Sequence, residues 1–314
     1  MSGARILSMG EALVDVLPAP DGLRRAAPGG SSYNVALALA AFSAPVAFVG
    51  RLSTDEEGEA MRARLVAAGC DVTRVARDPR PSPLSWVRRA GVDMHPRFDI
   101  YLEGTAHAPP ALAPDWLDGA AHLHVSSFSA VAGAWGEAVF AALETARGRV
   151  STSFDVNIRP ALLPPREEAA ARIEARVARV DLVKASDDDL AWLYPDEPPE
   201  AVARRWAQDA RMVLLTRGET GASLLRGDER PDCAAPRVAL RDTVGAGDAC
   251  LAGFLTECGR AAALDPGHLA AASHETLARA LRFATFAGAL TCERDGADAP
   301  PRAEVEAALS RAGR

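Results

Sequence analysis

Cysteine is scarce in this chain, with five in 314 residues: Cys70, Cys233, Cys250, Cys258 and Cys292. None falls in a CxxC pair or a zinc spacing, and an odd count suits a reducing compartment better than a disulfide framework. Cys250 and Cys258 read as core thiols. There is no excess of basic residues: a formal charge of −7 and a pI near 5.5 argue against a nucleic-acid partner, since phosphate backbones are held by clustered Lys and Arg. No long hydrophobic run occurs. The stretch from Val35 to Val49 is short of the ~20 residues a membrane helix needs, and Ser43 and Pro45 interrupt it, so it reads as a helix, a turn and a buried strand. The opening residues, Met1-Ser2-Gly3-Ala4-Arg5-Ile6-Leu7, lack the apolar region and cleavage site of a signal peptide. A cytoplasmic protein without membrane association is therefore expected. No HExxH spacing joins the histidines, and His107, His122 and His124 read as local polar or packing residues. A Walker loop and a Rossmann glycine fingerprint are both missing, as are internal repeats and low-complexity linkers.

What is present is ample apolar content, 48%, enough for a substantial core. Strand-like segments recur at residues 6–9, 46–49, 122–125, 150–154, 181–184 and 212–215. Helical patterns lie between most of them, at 32–42, 56–68, 134–146, 166–177 and 201–210. This alternation predicts an α/β fold with a mainly parallel sheet covered by helices on both faces. The C-terminal third reads as helical at 249–258, 268–290 and 302–311. Residues 12–27, with Pro18, Pro20 and Gly22, and residues 84–103 look like strands without helices. They are expected to pair as a small antiparallel sheet, either a lid that keeps water from a phosphoryl-transfer site or ordinary edge hairpins.

The most informative stretch is Asp242-Thr243-Val244-Gly245-Ala246-Gly247-Asp248, followed at once by the helix pattern from Ala249. Gly245, Ala246 and Gly247 let bare backbone N–H groups converge where the positive end of the next helix adds to their field. Such a point favours a phosphate gathering charge in a transition state. Asp248 is placed to take the proton of an attacking hydroxyl. The plainer alternative is a glycine turn with a capping Asp.

Other motifs are compatible with this one. Gly29-Gly30-Ser31-Ser32-Tyr33-Asn34 opens a helix and presents Asn34, which donates and accepts at once, as sugar hydroxyls require. Asp15, in Gly10-Glu11-Ala12-Leu13-Val14-Asp15, can accept from vicinal hydroxyls, although a strand-end Asp by itself is more often a solvated turn residue. Phe154-Asp155-Val156-Asn157-Ile158-Arg159-Pro160 ends a strand; Asn157 and Arg159 share a face if the extended conformation persists, and Arg159 can fork onto an anion. Thr216, Gly218 and Gly221 punctuate a predicted hairpin.

Together these strings resemble the ribokinase-like (PfkB) carbohydrate kinases, across nearly the whole chain and in order. Asp242–Asp248 is similar to the family's second signature. The stretch from Gly29 to Gly58 is similar to the first, with Ser53 where many members have Gly. The resemblance implies a single ribokinase-like domain over residues 1–314, with 12–27 and 84–103 as an inserted lid. It implies ATP-dependent phosphorylation of a sugar's primary hydroxyl, with Asp248 as general base and Gly245, Ala246 and Gly247 as the anion hole. Asp15, Gly30, Asn34, Tyr101, Asn157 and Arg159 would bind the sugar. Lys184, Ser186, Thr216, Gly218, Gly221 and Gly247 would meet the nucleotide. Residues 284–290 resemble the helix beside the adenine pocket, where small residues would admit a flat base or allow tight helix packing. Where members carry Asn-x-x-Glu this chain has Ser186 and Asp189, so Asp189 would reach Mg²⁺ through water, and Asp242 is implied as a monovalent-cation (K⁺) ligand. The Asp-x-Asn-x-Arg string is similar to the fructokinase and 2-keto-3-deoxygluconate kinase branches, and fructose is the first reading. The acid sugar is weakened by Leu102 standing where the lid often supplies Arg. A nucleoside kinase would want more aromatic stacking. A sugar- or nucleotide-binding regulator without catalysis is the different-class alternative. Exposed apolar lid strands would suit a homodimer.

Overall fold

The structure, a computed structural model, describes residues 5–18, 22–89 and 96–313; Pro20 and the first four residues lie outside them. The strands are β1 (Arg5–Met9), β2 (Leu13–Pro18), β3 (Arg24–Gly29), β4 (Val46–Ser53), β5 (Val75–Asp78), β6 (Leu84–Arg89) and β7 (Pro96–Tyr101). They continue with β8 (Ala120–Ser126), β9 (Ser151–Asp155), β10 (Leu182–Ser186), β11 (Met212–Thr216), β12 (Ala222–Leu225) and β13 (Asp232–Cys233). The helices are α1 (Ser31–Ala41), α2 (Glu56–Ala67), α3 (Gly133–Ala146), α4 (Arg166–Val177), α5 (Asp187–Leu193) and α6 (Pro199–Asp209). After them come α7 (Ala246–Arg260), α8 (His268–Ala271), α9 (His274–Thr291) and α10 (Arg302–Ala312).

Nine strands form one sheet in the order β13-β12-β11-β10-β9-β8-β1-β4-β5. It is parallel from β11 to β5, while β12 and β13 add antiparallel pairs at one edge. The apolar runs predicted as strands are buried on both faces, as a helix-covered parallel sheet requires. One cluster packs α1, α7 and α9 on one face. A second packs α3, α4, α5 and α6 on the other. The chain steps outward from β1 through β4 to β5, then returns to β8 and proceeds the opposite way. The reversal point lies between β1 and β8, where ligands of such sheets gather at the carboxyl ends of the strands.

A second sheet has four strands, β3-β2-β6-β7. Its outer pairs, β2 with β3 and β6 with β7, are antiparallel, whereas the central β2 and β6 run parallel. The sequence reading expected an antiparallel sheet throughout; two separate hairpins meeting side by side produce the parallel join. The predicted helix over 268–290 is two helices, because Ser273 starts α9 by accepting from the Thr276 N–H at 3.2 Å. Strand β5 was not anticipated, since Val-Ala-Arg-Asp carries no apolar run. No helix of the described residues is long and apolar enough to cross a membrane.

Candidate active site

A cleft of about 1390 Å³ opens over the carboxyl ends of β1, β9, β10 and β11 and runs under the small sheet. Near its middle, α7 begins at Gly245, which takes a left-handed conformation (φ 80°) that glycine adopts without strain. Ala246 N donates to the Thr243 carbonyl at 3.3 Å, while the next amides, of Gly247 and Asp248, have no intrahelical acceptor, and with the helix dipole they make this corner of the cleft suited to an anion. Asp248, in the first turn, lies beside that corner and is 7% exposed. Ser31 Oγ donates to its Oδ1 at 2.7 Å, and Asn34 Nδ2 donates to its Oδ2 at 2.9 Å. Burial raises the pKa of the carboxyl, while Asn34, Ser31, Lys184 and Arg159 pull it back. The side chain is thus a buried carboxyl held in a fixed orientation next to the start of α7. Asn34, expected at the sugar, lines the cleft and donates its amide to Asp248.

Beneath the corner Lys184 pairs with Asp155 at 3.0 Å, both buried. Burial works against the lysine's charge, but Asp155, Asp189 and Asp248 around it more than restore it. The ammonium lies so close to Gly247 that a Cβ there would come within 2.8 Å of Nζ.

On one side of Asp248 the cleft is walled by Asp15, Gly30, Ser85, Phe98, Asn157 and Arg159. Burial pushes the Asp15 carboxyl up to about 6, tempered by the adjacent Ser85 and Arg159. Gly30 has φ 104°, and a Cβ there would stand 2.7 Å from the Glu11 carbonyl oxygen, so the approach of the two loops requires glycine. Arg159 Nη1 donates to Asn157 Oδ1 at 2.7 Å, and its guanidinium lies 4.9 Å over the Phe98 ring. These two residues come together for a different reason from the one expected: β9 stops at Asp155 and Asn157 turns to φ 35°, so no extended strand aligns them. Tyr101 is not among the cleft residues and is 56% exposed; Phe98 and Ile100 of the same strand face the cavity instead.

The model of the pfkB family carbohydrate kinases matches residues 5–304. The chain belongs to this family of carbohydrate kinases. It is similar to a fructokinase of Rhizobium leguminosarum bv. trifolii, 34% identical over 80% of this chain and 78% of that one. Among solved structures it is similar to a Xylella fastidiosa fructokinase with bound ATP, at TM-score 0.88 and 27% identity over 99% of each chain. It is also similar to a double-mutant fructokinase of Vibrio cholerae O395 holding fructose, ADP and a potassium ion, at TM-score 0.82 and 26% identity over 98% of each chain. The chain is a phosphotransferase acting on a sugar.

The other half of the kinase's cleft is walled by Thr216, Gly218, Gly221 and Ser186, with Thr285, Gly288 and Ala289 of α9. Gly288 lines the cleft, and a Cβ on it would press within 2.9 Å of the Ala246 carbonyl oxygen on α7, which is the tight helix packing foreseen for this stretch. Asp189 and Ser186 form a reciprocal cap on α5, Ser186 Oγ accepting from Asp189 N at 3.0 Å and Asp189 Oδ2 from Ser186 N at 2.8 Å. Asp189 Oδ1 accepts from Ile158 N at 2.8 Å. The residue that would serve a metal thus also ties α5 to the loop after β9. Among the described residues no group of three or more His, Cys, Asp or Glu is placed to hold a metal. Asp242 stands outside the cleft wall, its oxygens accepting from Val244 N and Gly296 N, each at 3.1 Å.

Sequence reading missed Glu11, Ser31 and the Asp155–Lys184 pair. For the pair a signal existed: Lys184 is the only lysine among 35 Lys and Arg residues. A compact ammonium fits a buried slot that a planar guanidinium does not. Glu11 and Ser31 carried no signal beyond lying within motifs.

Proposed function

We propose that the protein is an ATP-dependent fructokinase, a single domain whose small sheet serves as a lid. The observation that carries this reading is the seating of Asp248 between an anion-binding helix start and a chamber walled by Asp15, Asn34 and Arg159. Asp248 takes the proton of the sugar's primary hydroxyl as that oxygen attacks the terminal phosphorus of ATP, and the bond from that phosphorus to the bridging oxygen breaks to release ADP. The amides around Gly245, Ala246 and Gly247 and the Lys184 ammonium stabilise the charge that develops on the transferred group. Asp15 and Gly30 orient the sugar, with Asn157 and Arg159. Thr216, Gly218, Gly221 and Ser186 meet the nucleotide. Magnesium neutralises phosphate charge when bound with ATP. Asp187, Asp188 and Asp189 line the cleft at the start of α5 and suit an ion held through phosphate and water rather than by a protein cage. A potassium ion near Asp242 is part of the same reading, after the ion named in the Vibrio cholerae structure.

A neutral ketose is favoured over a sugar acid because the acceptor chamber is lined by carboxylates, Glu11, Asp15 and Asp248, and its cation Arg159 is already engaged by Asn157 and the Ile158 carbonyl. Five unpaired cysteines suit the reducing cytoplasm. Exposed Leu84 and Tyr101, cross-strand partners in the small sheet, suit a homodimer through the lid. The deciding experiment is a panel of fructose, other sugars, 2-keto-3-deoxygluconate and nucleosides with MgATP, read as ADP release. The highest kcat/KM is expected with fructose. A higher value for the acid sugar would overturn the acceptor, and ligand binding without turnover would favour the regulator.

A further inference from the structure

Asp248 is held from α1 by two donors, and they differ in how they are themselves supported. Asn34 sits a full turn inside the helix. Ser31 is the first helical residue, after an N-cap, Gly30, that has no side chain to cap with. The cap comes from 20 residues away: Ser31 N–H donates to Glu11 Oε1 at 2.9 Å. Glu11 is 3% exposed, and its Oε2 accepts from Ser129 Oγ. A continuous path, Ser129 to Glu11 to Ser31 to Asp248, therefore joins the loops after β8 and β1 to the first turns of α1 and α7. It crosses the sheet at the point where the chain order reverses.

We propose that Ser31 is a positioning residue for the catalytic base: its hydroxyl pins Asp248 Oδ1, and Glu11 pins Ser31, so that the carboxylate stays aimed at the incoming sugar hydroxyl and ready to accept its proton. This rests on Asp248 being the base. With Oδ1 and Oδ2 each taking one donor, the carboxylate cannot turn about its last bond, yet each oxygen keeps a lone pair for the sugar. The hydroxyl has an electrostatic role as well. Burial drives Asp248 toward its neutral form, and donors to the anion oppose this. Lys184 on β10 and Arg159 after β9 also favour the anion; Glu11 after β1, Asp15 on β2 and Asp155 on β9 oppose it. Ser31 is one of the few groups that oppose the burial of this carboxylate, so loss of its hydrogen bond shows as a change in pH dependence.

The test is the pH profile of kcat/KM, which reports groups of the free enzyme. In Ser31→Ala the acid limb is expected to move up by about one pH unit, with activity above the limb recovering to within a few-fold of the parent. Ser31→Thr keeps the hydroxyl and is expected to keep the parent limb. Should Ser31→Ala fold poorly, Ser31→Cys, a weak donor of similar size, is expected to move the limb in the same direction. Glu11 titrates nearby, burial pushing it up to about 7, so the shift is measured again in a Glu11→Gln background, where it is expected to persist. Equal loss at every pH with an unmoved limb would overturn the proposal, as would a shift that vanishes with Glu11→Gln. Neither result touches the base itself, which fails only if Asp248→Asn turns over like the parent.

Discussion

The Lys184 ammonium stands 3.0 Å from Asp155 Oδ2 and directly against Gly247, the residue on which a Cβ would lie 2.8 Å from the same nitrogen. One buried ion pair therefore reaches from the middle of the sheet to the first turn of α7. It is buried in the core and its lysine lines the proposed site, and substitutions separate the two roles.

Lys184→Met leaves Asp155 buried without its partner and is expected to cost about 3–5 kcal/mol of stability. Adding Asp155→Asn removes the orphaned charge, and the double variant is expected to regain much of the loss in a denaturant titration while remaining impaired in kcat. Recovery of stability and activity together would show that the lysine has no catalytic part.

Gly247→Ala places a methyl group against Lys184 Nζ. Alanine is the better helix former, so the melting temperature is expected to hold or rise. Turnover is expected to fall on the order of 10- to 100-fold as the ammonium and the amides lose their common focus. Unchanged kcat would mean the corner does not depend on that contact.

Asp248→Asn keeps the size of the side chain but cannot take a proton. A loss of kcat on the order of 10²–10⁴-fold is expected, with the fold retained by circular dichroism. Near-parent turnover would remove Asp248 from the base's role.

Glu11 carries a signed dependence of stability on pH. Its carboxyl is raised by burial from 4.5 to about 7, so between these values the folded state binds more protons than the unfolded state, and stability falls as pH rises through the window. Glu11→Gln keeps an acceptor for Ser31 N–H without a titratable charge. The melting temperature of the variant relative to the parent is therefore expected to be more favourable at pH 8 than at pH 5. The opposite trend would mean the buried carboxylate is stabilised as an anion.

Much of this architecture is legible in the chain because its signals are local. Apolar runs with helical patterns between them foretell the parallel sheet, and Gly245 foretells a turn because its backbone adopts φ 80°. The acceptor chamber is less legible. Tyr101 and Phe98 have similar chemistry but fall on opposite faces of β7, and only the way the small sheet lies over the cleft sets which face looks in. Asn157 looked extended, but the chain leaves β9 at Asp155 and bends.

The residue types at the anion corner, a glycine-rich turn, an apolar helix and an acid in its first turn, are written in consecutive positions, and backbone sterics with helix geometry convert them into a site wherever the chain folds. The partners of that acid are not consecutive. Ser31 and Asp248 are 217 positions apart, Asn34 and Asp248 are 214, and Glu11 reaches Ser31 across 20. Their hydrogen bonds exist because α1 and α7, far apart in the chain, pack against each other on one face of the sheet, bringing their starts together. Periodicity along a chain carries no information about such a meeting, since it depends on the order in which strands pair.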